Sequence, residues 1–182
     1  MTLTTIDQFL ASTERRALRM ALLATHNNAD ALDIVQESMT KLFKHYRQKP
    51  AEEWPRIFQR ILQNCITDWH RQQQRNSLLF WRNKKQGTDD EEDDVSLEDI
   101  ASLEKNTPSD MLTRMNNVEV LLAAIETLPL RQQQAFLLRA WEGFSINDCA
   151  DIMNCSTGSI KTHYFRALKA LRICLEPHYE TA

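Results

Sequence analysis

From Ser156 to Lys169 the sequence STGSIKTHYFRALK carries hydroxyls at Ser156, Thr157, Ser159 and Thr162, an imidazole at His163, and cations at Lys161, Arg166 and Lys169. These are hydrogen-bond donors and positive charges, the groups that hold phosphates and read base edges in a duplex groove. Arg166 has the forked guanidinium needed to donate twice to a guanine, while Ser156, Thr157 and Lys161 suit phosphate oxygens. The chemistry on offer is binding. Nothing in the chain pairs a nucleophile with a base, gathers metal ligands or builds a phosphate loop, so no enzyme, metal or cofactor is expected.

The four cysteines, Cys65, Cys149, Cys155 and Cys174, form no C-x-x-C pair and have no histidines at ligand spacing. They are read as small buried hydrophobes, with a redox-sensing thiol as the alternative. No run of about 18 uncharged apolar residues is present, and the start MTLTTIDQFLASTERR lacks the basic-then-apolar order of a secretory signal. A cytoplasmic protein without membrane insertion is expected.

With three glycines and five prolines in 182 residues, and 42% hydrophobic content, the chain should bury a core and be mostly helical. Residues 6–26 and 29–47 predict two amphipathic helices, joined at THNNAD with Asn28 or Asp30 able to cap the second. In that second helix Leu32, Val35, Met39, Leu42, Phe43 and Tyr46 recur at spacings of three and four and predict its inner face. A third helix is expected from Trp54–Pro55 through PRIFQRILQNCITDWHRQQQR. Phe58, Ile61, Leu62, Cys65 and Trp69 fall on its apolar side, opposite Arg60, Gln63, Asn64, Thr67, Arg71 and Gln74.

Residues 77–116 break the pattern. They hold Gly87, Pro108 and six consecutive acidic residues, Asp89 to Asp94, and carry a net charge of −5, against +3 for residues 1–76 and −1 for residues 117–182. Charges that dense repel one another and resist packing, so a flexible acidic linker between two domains is expected. Beyond it, Val118, Leu121, Leu122 and Ile125 mark a helix. RQQQAFLLRAWEGF marks another, with Arg131 and Arg139 on the wet side and Gly143 at its end.

FSINDCADIM then gives a short helix capped by Ser145 and Asp148, with Asn154 where the chain must take a left-handed turn and Ser156 capping the next helix. On this last helix Ile160, Tyr164, Ala167, Leu168, Leu171 and Leu175 face inward, and Ser159, Thr162, Arg166 and Lys169 face outward. Two helices joined by a tight turn, the second with a basic free face, predict a helix-turn-helix whose second helix enters the major groove.

LPLRQQQAFLLRAWEGFSINDCADIMNCSTGSIKTHYFRALKALR resembles region 4 of the extracytoplasmic-function (ECF) RNA polymerase sigma factors, with Gly158, Ser159, Ile160 and Lys161 opening the recognition helix. Asn154 stands where that family more often has Gly, and His163 where Arg is common. ALDIVQESMTKLFKHY and RIFQRILQNCITDWHRQQQR resemble region 2 of the same family. The resemblance implies an all-α fold: region 2 in residues 1–76, a linker in 77–116, and region 4 in 117–182. It implies that Asp33, Gln36 and Glu37 dock on the clamp helices of core RNA polymerase, whose flap is a further contact. Arg60, Gln63, Asn64, Thr67, Arg71 and Arg75 would meet the minus-ten strand, the short amide of Asn64 at base edges and Arg71 and Arg75 at phosphates. Ser156, Thr157, Ser159, Lys161, Thr162, His163, Arg166 and Lys169 would meet the minus-thirty-five duplex. Promoter DNA, core polymerase and an anti-sigma factor are the implied partners. In this family the linker threads toward the catalytic cleft and RNA exit channel, where the acidic run could take an RNA-like path.

Two other readings compete. A LuxR-like regulator would use the C-terminal helix-turn-helix alone and bind duplex sites without polymerase. A helical adaptor would use both domains for protein contacts only.

Overall fold

The computed structural model describes residues 5–84 and 112–179, and every regular element in them is helical. The acidic run Asp89–Asp94 lies outside the described residues.

Helix α1 spans Ile6–Thr25 and starts on a reciprocal cap: Gln8 N–H donates to Thr5 Oγ1 at 3.3 Å, and Thr5 N–H to Gln8 Oε1 at 3.1 Å. It ends at His26, whose φ of 52° is the left-handed geometry that terminates helices. Helix α2, Asn28–Tyr46, is capped by neither Asn28 nor Asp30. The cap is Asn27, whose Oδ1 accepts from Ala29 N–H at 2.8 Å and Asp30 N–H at 3.2 Å. A helical Asn28 has the wrong backbone direction to cap; Asn27 is extended and has the right one.

A 3₁₀ turn at Ala51–Glu53 leads into α3, Trp54–Lys84. Trp54 Nε1 donates to the Tyr46 carbonyl at 3.1 Å and so fixes the angle between α2 and α3. At about 1.5 Å per residue, these 31 residues reach roughly 46 Å. The helix continues past the boundary expected at residue 76, because no glycine or proline interrupts the chain before Gly87. Likewise α4, Leu112–Glu126, begins inside the stretch read as linker.

Helix α5, Leu130–Phe136, runs into a π turn at Leu137–Trp141 and stops at Gly143, whose φ of +76° suits a residue without Cβ. Helix α6, Ile146–Met153, carries the expected cap: Asp148 N–H donates to Ser145 Oγ at 3.1 Å, and Ser145 N–H to Asp148 Oδ2 at 3.3 Å. Asn154 follows at φ 48°, ψ 56°. Helix α7, Thr157–Tyr179, starts on Ser156, whose Oγ accepts from Ser159 N–H at 3.1 Å. The helix-turn-helix is therefore built as its caps predict.

The N-terminal head, α1 to α3, and the C-terminal head, α4 to α7, are packed together. Phe58, Leu62 and Ile66 of α3, Ile125 of α4, Leu137, and Ala167 and Leu171 of α7 belong to one continuous apolar cluster. A smaller cluster around Leu138, Ile152 and Ile160 holds the helix-turn-helix itself. Burying a side chain such as Phe58 contributes about 1.5–3 kcal/mol, so the shared cluster carries much of the fold.

The seam between the heads is also polar. Gln133 Nε2 donates to the carbonyl of Leu23 in α1 at 2.9 Å and to that of Ile125 at 3.1 Å. Gln134 Nε2 donates to the carbonyl of Gln63 in α3 at 3.4 Å and to the Thr67 hydroxyl at 3.1 Å. Both glutamines are almost fully buried, at 3% and 2% exposure. At the rim Arg56 lies 3.5 Å from Asp151 and 3.9 Å from Asp148, and Arg16 lies 3.9 Å from Glu142. These rim pairs are partly exposed and individually weak.

Asn154 occupies a region where an L-residue meets its own carbonyl, and asparagine tolerates it better than most. Asn154→Gly is expected to stabilise the chain slightly or leave it unchanged, within about 1 kcal/mol, whereas Asn154→Val should cost about 1–2 kcal/mol. Urea-unfolding midpoints of the two variants check this ordering.

Candidate nucleic-acid interface

The start of α7 presents a bare, hydroxyl-rich surface. Ser156, Thr157, Lys161, Thr162, Arg166 and Lys169 are exposed, and Ser159 and His163 are half-buried. A Cβ added at Gly158 would meet only Ser156 Oγ, at 3.7 Å, so the glycine answers no crowding inside the protein. It leaves the first turn open to close approach by a phosphate, where free N–H groups and the helix dipole favour an anion. Two of the hydroxyls already have partners. Ser159 Oγ lies 2.9 Å from Ser156 Oγ, and Thr162 Oγ1 donates to the Gly158 carbonyl at 3.0 Å.

His163 sits between Arg131 and Arg166. Burial first, then those two guanidinium charges, hold its pKa below the usual histidine range. The shift favours the neutral imidazole, which carries a hydrogen-bonding edge rather than a charge. Arg131 is exposed but reaches the Met153 carbonyl, 3.3 Å away, and so braces the end of α6.

Arg139, expected on the wet side, does not lie there. It donates to the Phe144 carbonyl, and its guanidinium lies 5.9 Å from the centre of the Tyr164 ring, which stacks on Phe136. The π turn rotates this part of the chain off the ordinary helical period, so simple spacing misplaces it. Leu168 also departs from expectation. It was placed inward but is 42% exposed, because Ala167 and Leu171 line the narrower stripe that α7 buries.

On α3, Arg60, Asn64, Arg71 and Arg75 are exposed, with Arg71 3.6 Å from Asp68. Gln63 and Thr67 differ from the expected solvent-facing row. Gln63 is 3% exposed and donates through Nε2 to Gln59 Oε1 at 3.4 Å, and Thr67 is half-buried, with Gln134 of α5 covering both. An open cleft of about 570 Å³ lies between α3 and α6, with Lys49, Arg56 and Arg60 on one wall and Asp151 and Asn154 on the other.

On α2, Asp33, Gln36 and Glu37 are exposed, with Glu37 2.8 Å from Lys41. That carboxylate accepts a hydrogen bond from Lys41 and raises the lysine's pKa. Leu32 and Phe43, read as core, are 42% and 39% exposed instead. The stripe that α2 buries is Ala31, Ile34, Val35, Ser38 and Leu42. Leu32, Met39 and Phe43 form a second stripe beside it, at spacings of seven and four, next to the acidic row. Spacing alone merged the two into one broad face; the signal of a second surface was that six apolar residues are more than one helix face can bury.

The thiols divide in the same way. Cys65 and Cys149 are buried as expected, but Cys155 is only partly covered and Cys174 is exposed. Burial pushes the Cys149 thiol up to about 11, which leaves it unreactive at neutral pH. No group of three metal-ligating side chains gathers among the described residues, and no helix there is long and apolar enough to cross a membrane.

Residues 119–171 match the family "Sigma-70, region 4". The chain is 28% identical over 158 residues to the RNA polymerase sigma factor SigV of Bacillus subtilis, covering 86% of this chain and 82% of that one. It is 29% identical over 171 residues to the ECF RNA polymerase sigma factor EcfG of Rhodopseudomonas palustris, covering 93% and 83%. In fold it resembles the sigma factor RpoE of Bartonella quintana, solved in complex with the anti-sigma factor NepR, with a TM-score of 0.61 at 22% identity over 93% of this chain and 96% of that one.

Residues 119–171 thus match sigma-70 region 4, and over most of its length the chain is similar to extracytoplasmic-function RNA polymerase sigma factors.

Proposed function

We propose that this chain binds core RNA polymerase in the cytoplasm, directs it to particular promoters, and helps melt the minus-ten element without catalysing a reaction itself. The observation that carries this reading is that relatives named as sigma factors align over both heads, not over the helix-turn-helix alone. A LuxR-like regulator or an adaptor would leave the other head without a matching relative.

The charge balance supports the same reading. Duplex binding by a free protein draws most of its affinity from neutralised phosphates, and this chain carries a net charge of −3. Reading heads this weakly cationic need a tether that raises their effective concentration at the promoter, and core polymerase supplies one. In this division of labour residues 1–76 hold the clamp and minus-ten contacts, residues 77–116 link the heads, and residues 117–182 read the upstream duplex.

Each surface then has a task. The row Asp33, Gln36 and Glu37, flanked by exposed Leu32 and Phe43, combines charge for register with apolar area for affinity, as a protein interface requires. Asn64 offers base-edge bonds to an extruded strand, with Arg60, Arg71 and Arg75 on its backbone. Ser156, Thr157 and Lys161 seat the recognition helix on phosphates, and Arg166 reads a base. An anti-sigma partner is part of the same reading, since the RpoE of similar fold was solved bound to one.

The direct test is run-off transcription with purified core enzyme on templates whose start sites respond to overexpression of this chain. Transcripts that require the chain are expected. Tight operator binding without polymerase would favour the regulator instead, and absence of both would favour the adaptor. Arg166→Ala should cost about 1–3 kcal/mol of discrimination at the upstream element, read from relative promoter affinities of the holoenzyme. The pair Leu32→Ser and Phe43→Ser should weaken competition for core polymerase by about 1–3 kcal/mol without loss of helix content, and Asp33→Ala with Glu37→Ala should act in the same direction.

A further inference from the structure

We infer that the cavity bounded by α1, α3 and Glu142 is a binding site for a small organic ammonium, a primary amine on a short carbon frame, with the Glu142 carboxylate as its anionic partner. The inference concerns a part of the molecule that the proposed sigma function does not use, and it stands apart from that reading.

The cavity has a volume of about 170 Å³. Phe9 of α1 and Pro55 and Phe58 of α3 are among its apolar walls, while Arg16 and Glu142 stand on its polar side. An apolar cavity of roughly 150 Å³ takes a benzene ring, so this one has room for about six to eight non-hydrogen atoms.

Glu142 follows the π turn, and its backbone N–H donates to the Leu137 carbonyl at 3.0 Å, which fixes where the side chain starts. That side chain is only 9% exposed, and Oε1 is shut off from solvent without a hydrogen-bond partner. Arg16 Nε lies 3.9 Å away, near enough for attraction and too far for a hydrogen bond. Buried carboxylate oxygens are ordinarily matched by donors, and one left unmatched is a loss the rest of the fold must offset.

The missing partner is a donor that also carries positive charge. An ammonium brings three N–H groups and a charge to the carboxylate, while Phe9 and Phe58 cover its carbon frame and offer ring faces to the cation. Water brings the donor without the charge, and an apolar molecule brings neither. Arg16 is the group such a ligand displaces. Its side chain is 52% exposed and turns outward into water at little cost, whereas the Glu142 side chain is held inside. Removing Arg16 therefore opens the site rather than damaging it.

The experiment titrates the full chain with benzylammonium, followed by amide chemical shifts and by thermal unfolding, with benzyl alcohol as the neutral control of the same shape. Wild type is expected to show saturable shifts confined to residues 9–16, 55–59 and 142, and an unfolding temperature that rises with ligand. Benzyl alcohol on wild type, and benzylammonium on Glu142→Gln, should each bind about tenfold more weakly or worse. Arg16→Gln should bind benzylammonium about threefold to tenfold more tightly, a gain that a purely structural ion pair would not give. Ser12 also lines the cavity and is exposed to solvent, so Ser12→Leu should fill the space, keep the fold and lose binding. That variant carries the test should Glu142→Gln fail to fold. Shifts that do not saturate, that fall elsewhere on the chain, or that benzyl alcohol reproduces at equal concentration overturn the proposal. Unchanged affinity in a folded Glu142→Gln or Ser12→Leu chain overturns it as well.

Discussion

Two side-chain amides, those of Gln133 and Gln134, join the two halves of this molecule. Gln134 places its nitrogen between a backbone carbonyl and a hydroxyl of α3, in a seam where water has almost no access. A buried amide left without partners costs about 1–3 kcal/mol, so the apolar contacts around it are favourable only in the register that satisfies it. The shared apolar cluster supplies most of the attraction between the heads, and Gln133 and Gln134 select one docking geometry from the many that such a cluster alone would allow. The covering of Gln63 and Thr67, the cleft beside Arg60 and the position of α7 relative to α3 all depend on that register.

The same economy of charge runs through the chain. A strongly basic sigma factor would spend its time on non-specific DNA. Here 22 lysines and arginines are offset by 25 aspartates and glutamates, and the longest acidic run, Asp89–Asp94, falls between the two heads in sequence. In the proposed function the heads depend on a carrier for affinity, and specificity would rest with a small set of donors such as Arg166 and Asn64. Leu32 and Phe43 are exposed, and in the proposed function they would supply contact area for the carrier.

Much of this was legible in the sequence because it depends on neighbours along the chain. Caps are set by residues three positions apart, so Ser145, Asn154 and Ser156 placed the helix-turn-helix to the residue. Asn27 was missed for a related reason: two adjacent asparagines offer the same side chain, and only the backbone direction separates them. The misreadings concern packing between elements distant in sequence. Gln63 and Thr67 look solvent-facing because polar residues usually are, and nothing local announces a glutamine from 71 residues away that buries one of them. Leu32, Phe43 and Leu168 look buried because they are apolar, yet which apolar residues a helix buries is decided by the width of its partner. Arg139 was misplaced by a π turn, which shifts the period within a single helix.

The most direct measurement is the distance between the two heads, taken by paired spin labels on α3 and on the exposed end of α7, in the wild-type chain and in one carrying Gln133→Leu and Gln134→Leu. A single narrow separation in wild type that broadens in the variant is the expected result. An equally narrow, unchanged separation in a folded variant would contradict it, because the apolar cluster would then set the docking geometry without the two amides.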